Sequence, residues 1–412
     1  MAMTALASSS SRRTAAALGA LAAATFVFVT TETQPVALLD PLSASLHVSP
    51  SSVGLLMTAY AVLAGLTAIP LTFASSGVRR RPLLLACVAV LTVSQMIAAI
   101  APNYAVVLAA RLLCALAHGV FWSVIAQVAA SMVAPERAGR ATAAAFAGNS
   151  LALVAGVPLV SITGTLLGWR LAVALLAGAG ALTWCALYLL LPEPPVPQRT
   201  SVRSFGAALR ERRLLVICAV TTVMVIGHFA AFTFFTSIVR ADAGLAGSGV
   251  GAVLLVYGGA GVLGVLLSGA LVDRGLRTAV VSGCGVVTAA LLALDLVQGS
   301  LAVTLIAAGV WGLAFTALPV AWQTAVLRAV PAQPDGASAL YVVCFQVGIG
   351  GGALLGAVLL AAGGVSAILT VALVFATLGT VLAAVLTGPS PRPAAGRRWA
   401  VGRAVVGRAL RS

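Results

Sequence analysis

The amino-acid sequence predicts an all-α polytopic membrane protein with twelve transmembrane helices, arranged as two pseudo-symmetric six-helix bundles. Three observations support this prediction. Of the 412 residues, 61% are hydrophobic and 8% are charged, and the mean hydropathy of +1.11 lies far outside the range of soluble domains. Apolar runs of membrane-spanning length recur along the whole chain, and the second half repeats the pattern of the first.

The predicted transmembrane helices follow from the apolar runs. A helix rises about 1.5 Å per residue, so about 20 residues cross the hydrocarbon core of a bilayer. The runs cover residues 16–39, 53–74, 82–101, 105–132, 141–164, 169–191, 213–238, 248–271, 278–298, 301–328, 337–362 and 365–387. Short breaks with turn residues separate them, and several runs exceed about 20 residues, so tilted or kinked helices are expected.

The longest internal break is rich in Pro and Arg and divides the chain into two halves. The predicted organisation is a cytoplasmic N-terminal tail at 1–15, an N-terminal six-helix bundle at 16–191, a cytoplasmic linker at 192–212, a C-terminal six-helix bundle at 213–387 and a basic cytoplasmic tail at 388–412.

The basic residues predict the orientation of the helices. All 24 are Arg, and they concentrate in the two tails, in the linker and in alternate loops, whereas the opposite side keeps only Arg170 and Arg240. By the positive-inside rule both termini are expected in the cytoplasm, as in a multi-pass protein of a bacterial inner membrane. This topology accounts for the net charge of +15, so no nucleic-acid partner is expected.

An internal repeat appears when the halves are compared at an offset of about 196 residues. Gly156 then falls on Gly352, and the loop 269–277 falls on 72–80. Two similar bundles have a natural cavity along their interface, and rocking one bundle on the other can open that cavity to either side in turn.

Two motifs point to a known family. The loop Gly269-x-Leu271-x-Asp273-Arg274-x-x-Arg277 resembles the loop signature of the major facilitator superfamily. In the first-half copy of this loop, Ser76 stands where the second half has Asp273. In the family this acid is thought to latch neighbouring helices in one state, so the resemblance implies a latch at Asp273, Arg274 and Arg277 and a departure at Ser76.

The first half is similar to the drug:proton antiporter branch of that superfamily. The similarity rests on Arg111 in the fourth span and on the glycine-proline pattern of the fifth, Gly148, Gly156 and Pro158. The stretches HGVFWSV, VAPERAGRATA and AFAGNSLALVAGVPL are most similar to bacterial sugar-, arabinose- and chloramphenicol-efflux permeases. The resemblance implies a conformational role for the fifth-span pattern, with Gly352 in its second-half counterpart.

Glu32 is the leading candidate for proton coupling. It lies late in the first span, before Pro35. Burial in a medium of low dielectric favours the neutral carboxyl group, so Glu32 is expected to cycle between charged and neutral forms. The alternative is a hydrated acid near the mouth of the protein, or one that caps a helix break.

Arg111, His118 and His228 are the other candidates for proton coupling. Arg111 is expected to need a partner or a wet cavity, because a guanidinium does not shed its proton, and Glu32 is the nearest candidate on topological grounds. His118 follows by two helical turns, so both side chains project from one face. His228 falls on Glu32 at the repeat offset. For the histidines, a hydrogen-bonded packing role is the alternative.

Amide and aromatic side chains inside the spans are candidates for lining a substrate cavity. Such a lining suits an uncharged or amphiphilic solute, and hydrogen bonding between helices is the alternative for the amides. The candidates are Trp122, Gln127, Asn149, Trp311, Trp322, Gln323 and Gln346.

The sequence therefore predicts a secondary active transporter, with proton-coupled efflux of a drug, sugar or related metabolite as the leading function. A proton symporter or facilitative uniporter of the same fold is the alternative. An enzyme is disfavoured because HExxH and GxSxG motifs are absent and only nine residues are acidic, and a receptor because the tails are too short for a signalling domain.

The expected partners are a small-molecule substrate, protons and the lipid bilayer, and the transporter is expected to act as a monomer. No cofactor is expected, because GxxxxGK[ST] is absent and a proton gradient can supply the energy. No metal site is expected either, since the six cysteines stand singly in apolar runs.

Overall fold

A computed structural model describes residues 2–75, 77–134, 138–193, 206, 210–245, 248–297, 299–330 and 334–386. The first half contains α1 (Ala2–Ala37), α2 (Leu39–Leu46), α3 (Pro50–Ala74), α4 (Arg80–Ala99), α5 (Tyr104–Ser131), α6 (Ala138–Leu151), a π-helical turn (Ala152–Gly156), α7 (Val157–Leu166) and α8 (Trp169–Leu190). The second half contains α9 (Arg212–Phe232), α10 (Phe235–Ala243), α11 (Ser248–Leu296), α12 (Leu301–Ala329) and α13 (Pro334–Leu386).

Eleven stretches in these described helices are long and apolar enough to cross a membrane. The last of them, Leu340–Val385, is 46 residues long and supplies two crossings, because Gly364 interrupts its helical backbone with φ 71°. A positive φ favours glycine, and the break lies where the sequence predicts one. Helix α11 is also interrupted, by extended backbone at Gly275 (φ 171°), between the predicted spans 248–271 and 278–298. The predicted twelve-helix, two-bundle fold is confirmed.

Polar residues at the predicted breaks fix where several helices begin. Asn103 accepts a hydrogen bond from the backbone N–H of Val106 at 3.1 Å, and Ser300 accepts one from Val303 at 3.4 Å. These caps satisfy N–H groups that have no partner within the helix. Helix α1 differs from its prediction, because it begins at Ala2 rather than near residue 16.

The internal repeat is visible in matching contacts. Arg81 donates a hydrogen bond to the carbonyl oxygen of Tyr188, and Arg277 donates one to that of Ala384 at 2.8 Å. Each residue of the second pair lies one repeat offset, about 196 positions, beyond its counterpart. In both halves, therefore, an arginine binds the C-terminal end of the bundle's last helix, where the helix dipole favours a positive charge.

The fifth span is broken into α6 and α7 by the π-helical turn, Ala152–Gly156. Pro158 follows directly, and because proline has no N–H it cannot donate to the carbonyl group of Val154 four residues earlier. A π-helical turn is a known consequence of a lost bond in the helical ladder. The helix therefore accommodates Pro158 with a widened turn just before it.

Small residues on this span allow close packing against α1. A Cβ atom added at Gly148 would overlap the carbonyl oxygen of Ala22 and the hydroxyl of Thr25, and one added at Gly156 would overlap Thr30. Gly352 lies equally close to α9, against the carbonyl oxygen of Ile226. The glycines thus bring helices of the same bundle together.

We expect Gly148→Ala to lower the thermal stability of the purified protein in detergent by several degrees, because the added methyl group would displace the α1 backbone. The matched control is Gly178→Ala on α8, where an added Cβ meets nothing within 4 Å. Thermal unfolding followed by size-exclusion fluorescence compares the two. Equal melting temperatures for the two variants would show that α1 can shift to accommodate the added methyl group without loss of stability.

The bundle has two distinguishable ends. The short-helix end carries α2 and α10, which connect α1 to α3 and α9 to α11. The linker end carries Arg79–Arg81, the described residues 191–193 and 210–212, and the turn at Gly275. Several predictions lie outside the described residues: Ser76, most of the linker, the C-terminal tail, and the side chains of Gln127 and Asp273. The domain boundaries stay predictions.

Candidate functional site

Arg111 lies at the centre of the candidate site and is almost wholly buried, with 1% of its surface exposed. Its guanidinium group donates to the carbonyl oxygens of Thr31 and Glu32, both at 3.0 Å, and to that of Leu56 at 3.4 Å. It also lies 4.9 Å from the ring centroid of Tyr60. A buried charge is tolerated when it is hydrogen-bonded in this way, and Arg111 thereby joins α1, α3 and α5.

One of these carbonyl groups is available because of Pro35. In a regular helix the N–H of residue 35 would donate to the carbonyl oxygen of Thr31, but proline has no N–H. Arg111 Nη1 supplies the missing donor. The proline in the first span and the arginine in the fourth are therefore complementary parts of one contact.

Arg111 contacts Glu32 through the backbone, and the two side chains do not form an ion pair. Arg111 bonds to the backbone oxygen of Glu32, and no salt bridge joins the guanidinium to the carboxylate among the described residues. The backbone pairing leaves the Glu32 carboxyl group directed to other partners. It also places a permanent positive charge close to a group that can titrate.

The Glu32 carboxyl group belongs to a buried polar chain. Gln346 Nε2 donates to Glu32 Oε1 at 3.3 Å and lies within hydrogen-bond distance of His118 Nε2. His118 Nε2 is itself 4.0 Å from Glu32 Oε1, and His118 Nδ1 lies 3.0 Å from the hydroxyl group of Tyr60. Because an amide nitrogen only donates, this contact assigns His118 Nε2 as the acceptor and places the ring proton on Nδ1, which faces the hydroxyl group of Tyr60.

This chain crosses the interface between the two bundles. Glu32, Tyr60 and His118 lie on α1, α3 and α5 of the first bundle, whereas Gln346 lies on α13 of the second. All four are buried. The structure therefore brings together two predicted proton-coupling residues, Glu32 and His118, with Gln346, which was predicted to line a cavity.

His228 does not join this chain. It lies on α9 within a cluster of aromatic rings, accepts a hydrogen bond from Trp311 Nε1 at 3.0 Å and stacks on Phe315. The surroundings of His228 therefore match a hydrogen-bonded packing role, and Trp311 is its hydrogen-bond partner. The repeat places His228 opposite Glu32 in sequence, but the second bundle surrounds this position with apolar rings.

The other predicted lining residues are dispersed. Trp122 is half-buried beside His118, with ring centroids 6.1 Å apart, whereas Trp322 is buried and its Nε1 has no hydrogen-bond partner among the described residues. Gln323 donates to Ser338 at 2.9 Å within the second bundle, as the interhelical alternative expects. Asn149 is half-buried on α6.

The conformational motifs occupy two places. The glycines of the fifth span face α1, while its other face meets the second bundle, where a Cβ at Gly258 would overlap Leu153. At the linker end, Arg274 is exposed and Gly269 has open space around it. Arg277 binds the end of α13, so its described contact is with a helix terminus.

Sequence reasoning missed three contributors to the site. Tyr60 links Arg111 to His118, Pro35 frees a carbonyl group for Arg111, and Asp40 on α2 forms an ion pair with Arg240 on α10. A signal existed for the ion pair, because opposite charges stand at corresponding short loops of the two halves. Within the described part of the chain, no cluster of His, Cys, Asp or Glu could hold a metal ion.

Comparison with known proteins decides the family. The family model of the Major Facilitator Superfamily matches residues 16–333 and 217–410. The chain belongs to the major facilitator superfamily. A chloramphenicol efflux pump from Mycobacterium tuberculosis (strain CDC 1551 / Oshkosh) is 39% identical to this superfamily member over 356 residues, covering 84% of this chain and 86% of the relative.

Solved structures agree with this assignment at the level of the fold. A bacterial homologue of the human lysosomal transporter Spinster, crystallised in an inward-facing and unoccupied conformation, has a TM-score of 0.69 and 16% identity, covering 90% of this chain and 96% of its own. The nucleoside transporter NupG also has a TM-score of 0.69, with 13% identity and 90% and 98% coverage. This major facilitator protein is a multi-span membrane transporter of a small-molecule substrate, and it is not an enzyme.

Proposed function

We propose that this transporter exports a small organic molecule from a bacterial cell in exchange for protons, using no cofactor and acting as a monomer. The observation that carries the proposal is the buried Glu32 carboxyl group, which is hydrogen-bonded across the bundle interface beside the fixed charge of Arg111. An acid that gains and loses a proton at this position can link protonation to the relative positions of the two bundles.

The proposed orientation follows from the arginines. The linker end, with its excess of Arg, faces the cytoplasm, and the short-helix end faces outward. Contacts between the bundles on the outer half include the Asp40–Arg240 pair and the close approach of Gly54 to Phe234. We interpret this arrangement as the state whose outer end is closed.

The proposed exchange cycle starts from this closed outer end. Substrate enters from the cytoplasm as the Glu32 proton leaves, and the bundles then rock so that the cavity opens outward. A proton from outside binds to Glu32 as the substrate departs, and the protonated transporter returns. Energy comes from the proton gradient, because each turn moves a proton inward.

The relatives support a substrate like chloramphenicol, which is uncharged and amphiphilic. The mycobacterial relative, at 39% identity, is named a chloramphenicol efflux pump. Trp122 beside His118 offers an aromatic surface next to hydrogen-bonding groups, which suits a solute of this kind. Sugars and related metabolites are the competing substrates.

Inside-out membrane vesicles test the proposal directly. We expect radiolabelled chloramphenicol to accumulate when the vesicle lumen is made acidic, and the accumulation to collapse when nigericin dissipates the gradient. Uptake that ignores the gradient would indicate a uniporter, and uptake favoured by an alkaline lumen would indicate a symporter. Either result would overturn proton-coupled export.

The Asp40–Arg240 pair is expected to hold the outer end closed. Both side chains are partly exposed, so the pair is worth only about 0.2–1 kcal/mol, or up to about a fivefold shift in a two-state equilibrium. We expect Arg240→Asp to increase the labelling of a cysteine placed at the short-helix end. The swapped variant Asp40→Arg with Arg240→Asp is expected to restore slow labelling, and failure of the swap would argue against the pair.

A further inference from the structure

Gln346 is the one described residue of the second bundle that hydrogen-bonds to the Glu32 carboxyl group. We infer that Gln346 is a positioning residue that transmits the protonation state of Glu32 to the C-terminal bundle and thereby prevents protons from crossing without substrate. This inference rests on the proposed proton coupling. It concerns how the exchange stays coupled, which the choice of substrate does not determine.

The first argument is the number of hydrogen bonds that the amide makes. The two N–H groups of Gln346 match two acceptors, Glu32 Oε1 at 3.3 Å and His118 Nε2. Gln346 Oε1 is buried and has no hydrogen-bond partner within the described chain. The amide is therefore held by its donors alone, and one of its two acceptors is the Glu32 carboxyl group.

The second argument is what protonation does to this arrangement. A hydrogen bond to a carboxylate is roughly twice as strong as one to a neutral group. A protonated Glu32 has lost its charge and carries an O–H donor, whose natural acceptor is the unpartnered Oε1 of Gln346. The present orientation of the amide therefore fits deprotonated Glu32 and is weakened by protonation.

The groups that act on Glu32 come from three neighbouring helices. Helix α5 contributes Arg111 and His118, and α3 contributes Tyr60, which hydrogen-bonds to His118. Helix α13 contributes the Gln346 amide. The permanent charge of Arg111 lies beside Glu32, and Gln346 is the contact through which the second bundle meets the Glu32 carboxyl group.

The third argument is the packing around Gln346. A Cβ atom added at Gly65 on α3 would lie 3.6 Å from the Cβ atom of Gln346. One turn further along α13, a Cβ atom added at Gly350 would lie 3.2 Å from the Cβ atom of Ala61 on α3. Small residues on both helices thus allow α13 to lie directly against α3. A movement of α13 away from α3 would carry Gln346 away from Glu32.

These observations define a clamp that consists of Glu32, His118 and Gln346. When the proton leaves before substrate has bound, the clamp forms and holds the empty transporter with its outer end closed. Substrate binding then has to disturb the clamp before the bundles can rock. Without the clamp, an empty and deprotonated transporter would return outward, collect another proton and leak it.

The test measures proton flux through the full-length protein in liposomes that contain a pH-sensitive dye, with no substrate present. Gln346→Met keeps the length of the side chain and removes both donors, and we expect it to raise the leak about tenfold, as expected for the loss of one charge-assisted hydrogen bond. The matched control is Gln95→Met, because that buried amide bonds to Ser94 on its own helix, α4, within the first bundle. It is expected to leave the leak unchanged.

Two further measurements separate a clamp from a general loosening of the fold. Chloramphenicol binding by Gln346→Met is expected to persist, which shows that the protein is folded. The combined variant Gln346→Met with Glu32→Gln is expected to abolish the leak, because the leak needs a titrating group at Glu32. A leak that survives in the combined variant would overturn the inference.

Failure of the inference is distinguishable from failure of the proposed function. If Gln346→Met exports chloramphenicol with wild-type coupling and no leak, the clamp is wrong while proton-coupled export stands. If the wild-type protein transports without any response to a pH gradient, the proposed function fails first.

Discussion

Glu32→Gln is expected to abolish export that is driven by a pH gradient, reducing chloramphenicol accumulation in inside-out vesicles to the level of vesicles without the transporter. Glutamine has nearly the same shape as glutamate but carries no exchangeable proton. It can still accept a hydrogen bond from Gln346, so the packing between α1 and α13 is retained. The loss would therefore report on proton transfer and not on folding.

The matched control for this variant is Glu193→Gln. Glu193 lies exposed at the linker end, and the change there removes the same charge outside the membrane helices. It is expected to leave transport within about twofold of wild type, since exposed charges contribute little. Wild-type accumulation by Glu32→Gln would remove Glu32 from the mechanism.

The second large effect is expected at Arg111. Arg111→Lys keeps the charge but replaces a planar fork with one ammonium group, which cannot reach the carbonyl oxygens of Thr31, Glu32 and Leu56 together. The carbonyl oxygen of Thr31 has no N–H partner within its helix because of Pro35, so leaving it unpaired costs about 1–3 kcal/mol. We expect transport to fall at least about tenfold and the melting temperature in detergent to drop. Arg170→Lys, at an exposed arginine, is the control.

A second substitution, at Pro35, tests whether Arg111 replaces the hydrogen bond that the proline removes. In Pro35→Ala the new backbone N–H can donate to the carbonyl oxygen of Thr31, which then depends less on Arg111. Combining Pro35→Ala with Arg111→Lys is expected to recover about 1 kcal/mol of the stability lost in Arg111→Lys alone. If Pro35→Ala changes stability equally in both backgrounds, Arg111 does not compensate for the proline.

The fold could be predicted because membrane helices are local features of the sequence. Apolar runs, turn residues and the distribution of arginine depend on neighbours along the chain, and the breaks at Gly275 and Gly364 fell where turn signals stood. Residues related by the repeat offset also make equivalent contacts in the structure, as Arg81 and Arg277 do. The start of α1 was missed because the polar residues 8–13 interrupt the apolar run, although they contain no Gly or Pro that would end a helix.

The candidate site was predictable only in part. Rare ionisable residues inside spans identified Glu32, Arg111 and His118, and helical spacing placed Arg111 and His118 on one face. The link from Gln346 to Glu32 was not predictable, because it joins residues far apart in sequence across the bundle interface. The choice of a backbone carbonyl rather than a carboxylate as the partner of Arg111 also depends on tertiary geometry.

The most direct test of the central claim, that Glu32 exchanges its proton for substrate, is proton release from the purified protein. Chloramphenicol is added to lightly buffered protein in detergent, and a pH indicator records the protons released for each molecule bound. We expect about one proton per bound molecule from wild type and none from Glu32→Gln, with binding retained in both. Equal release from the two proteins, or binding to wild type without any release, would contradict the account.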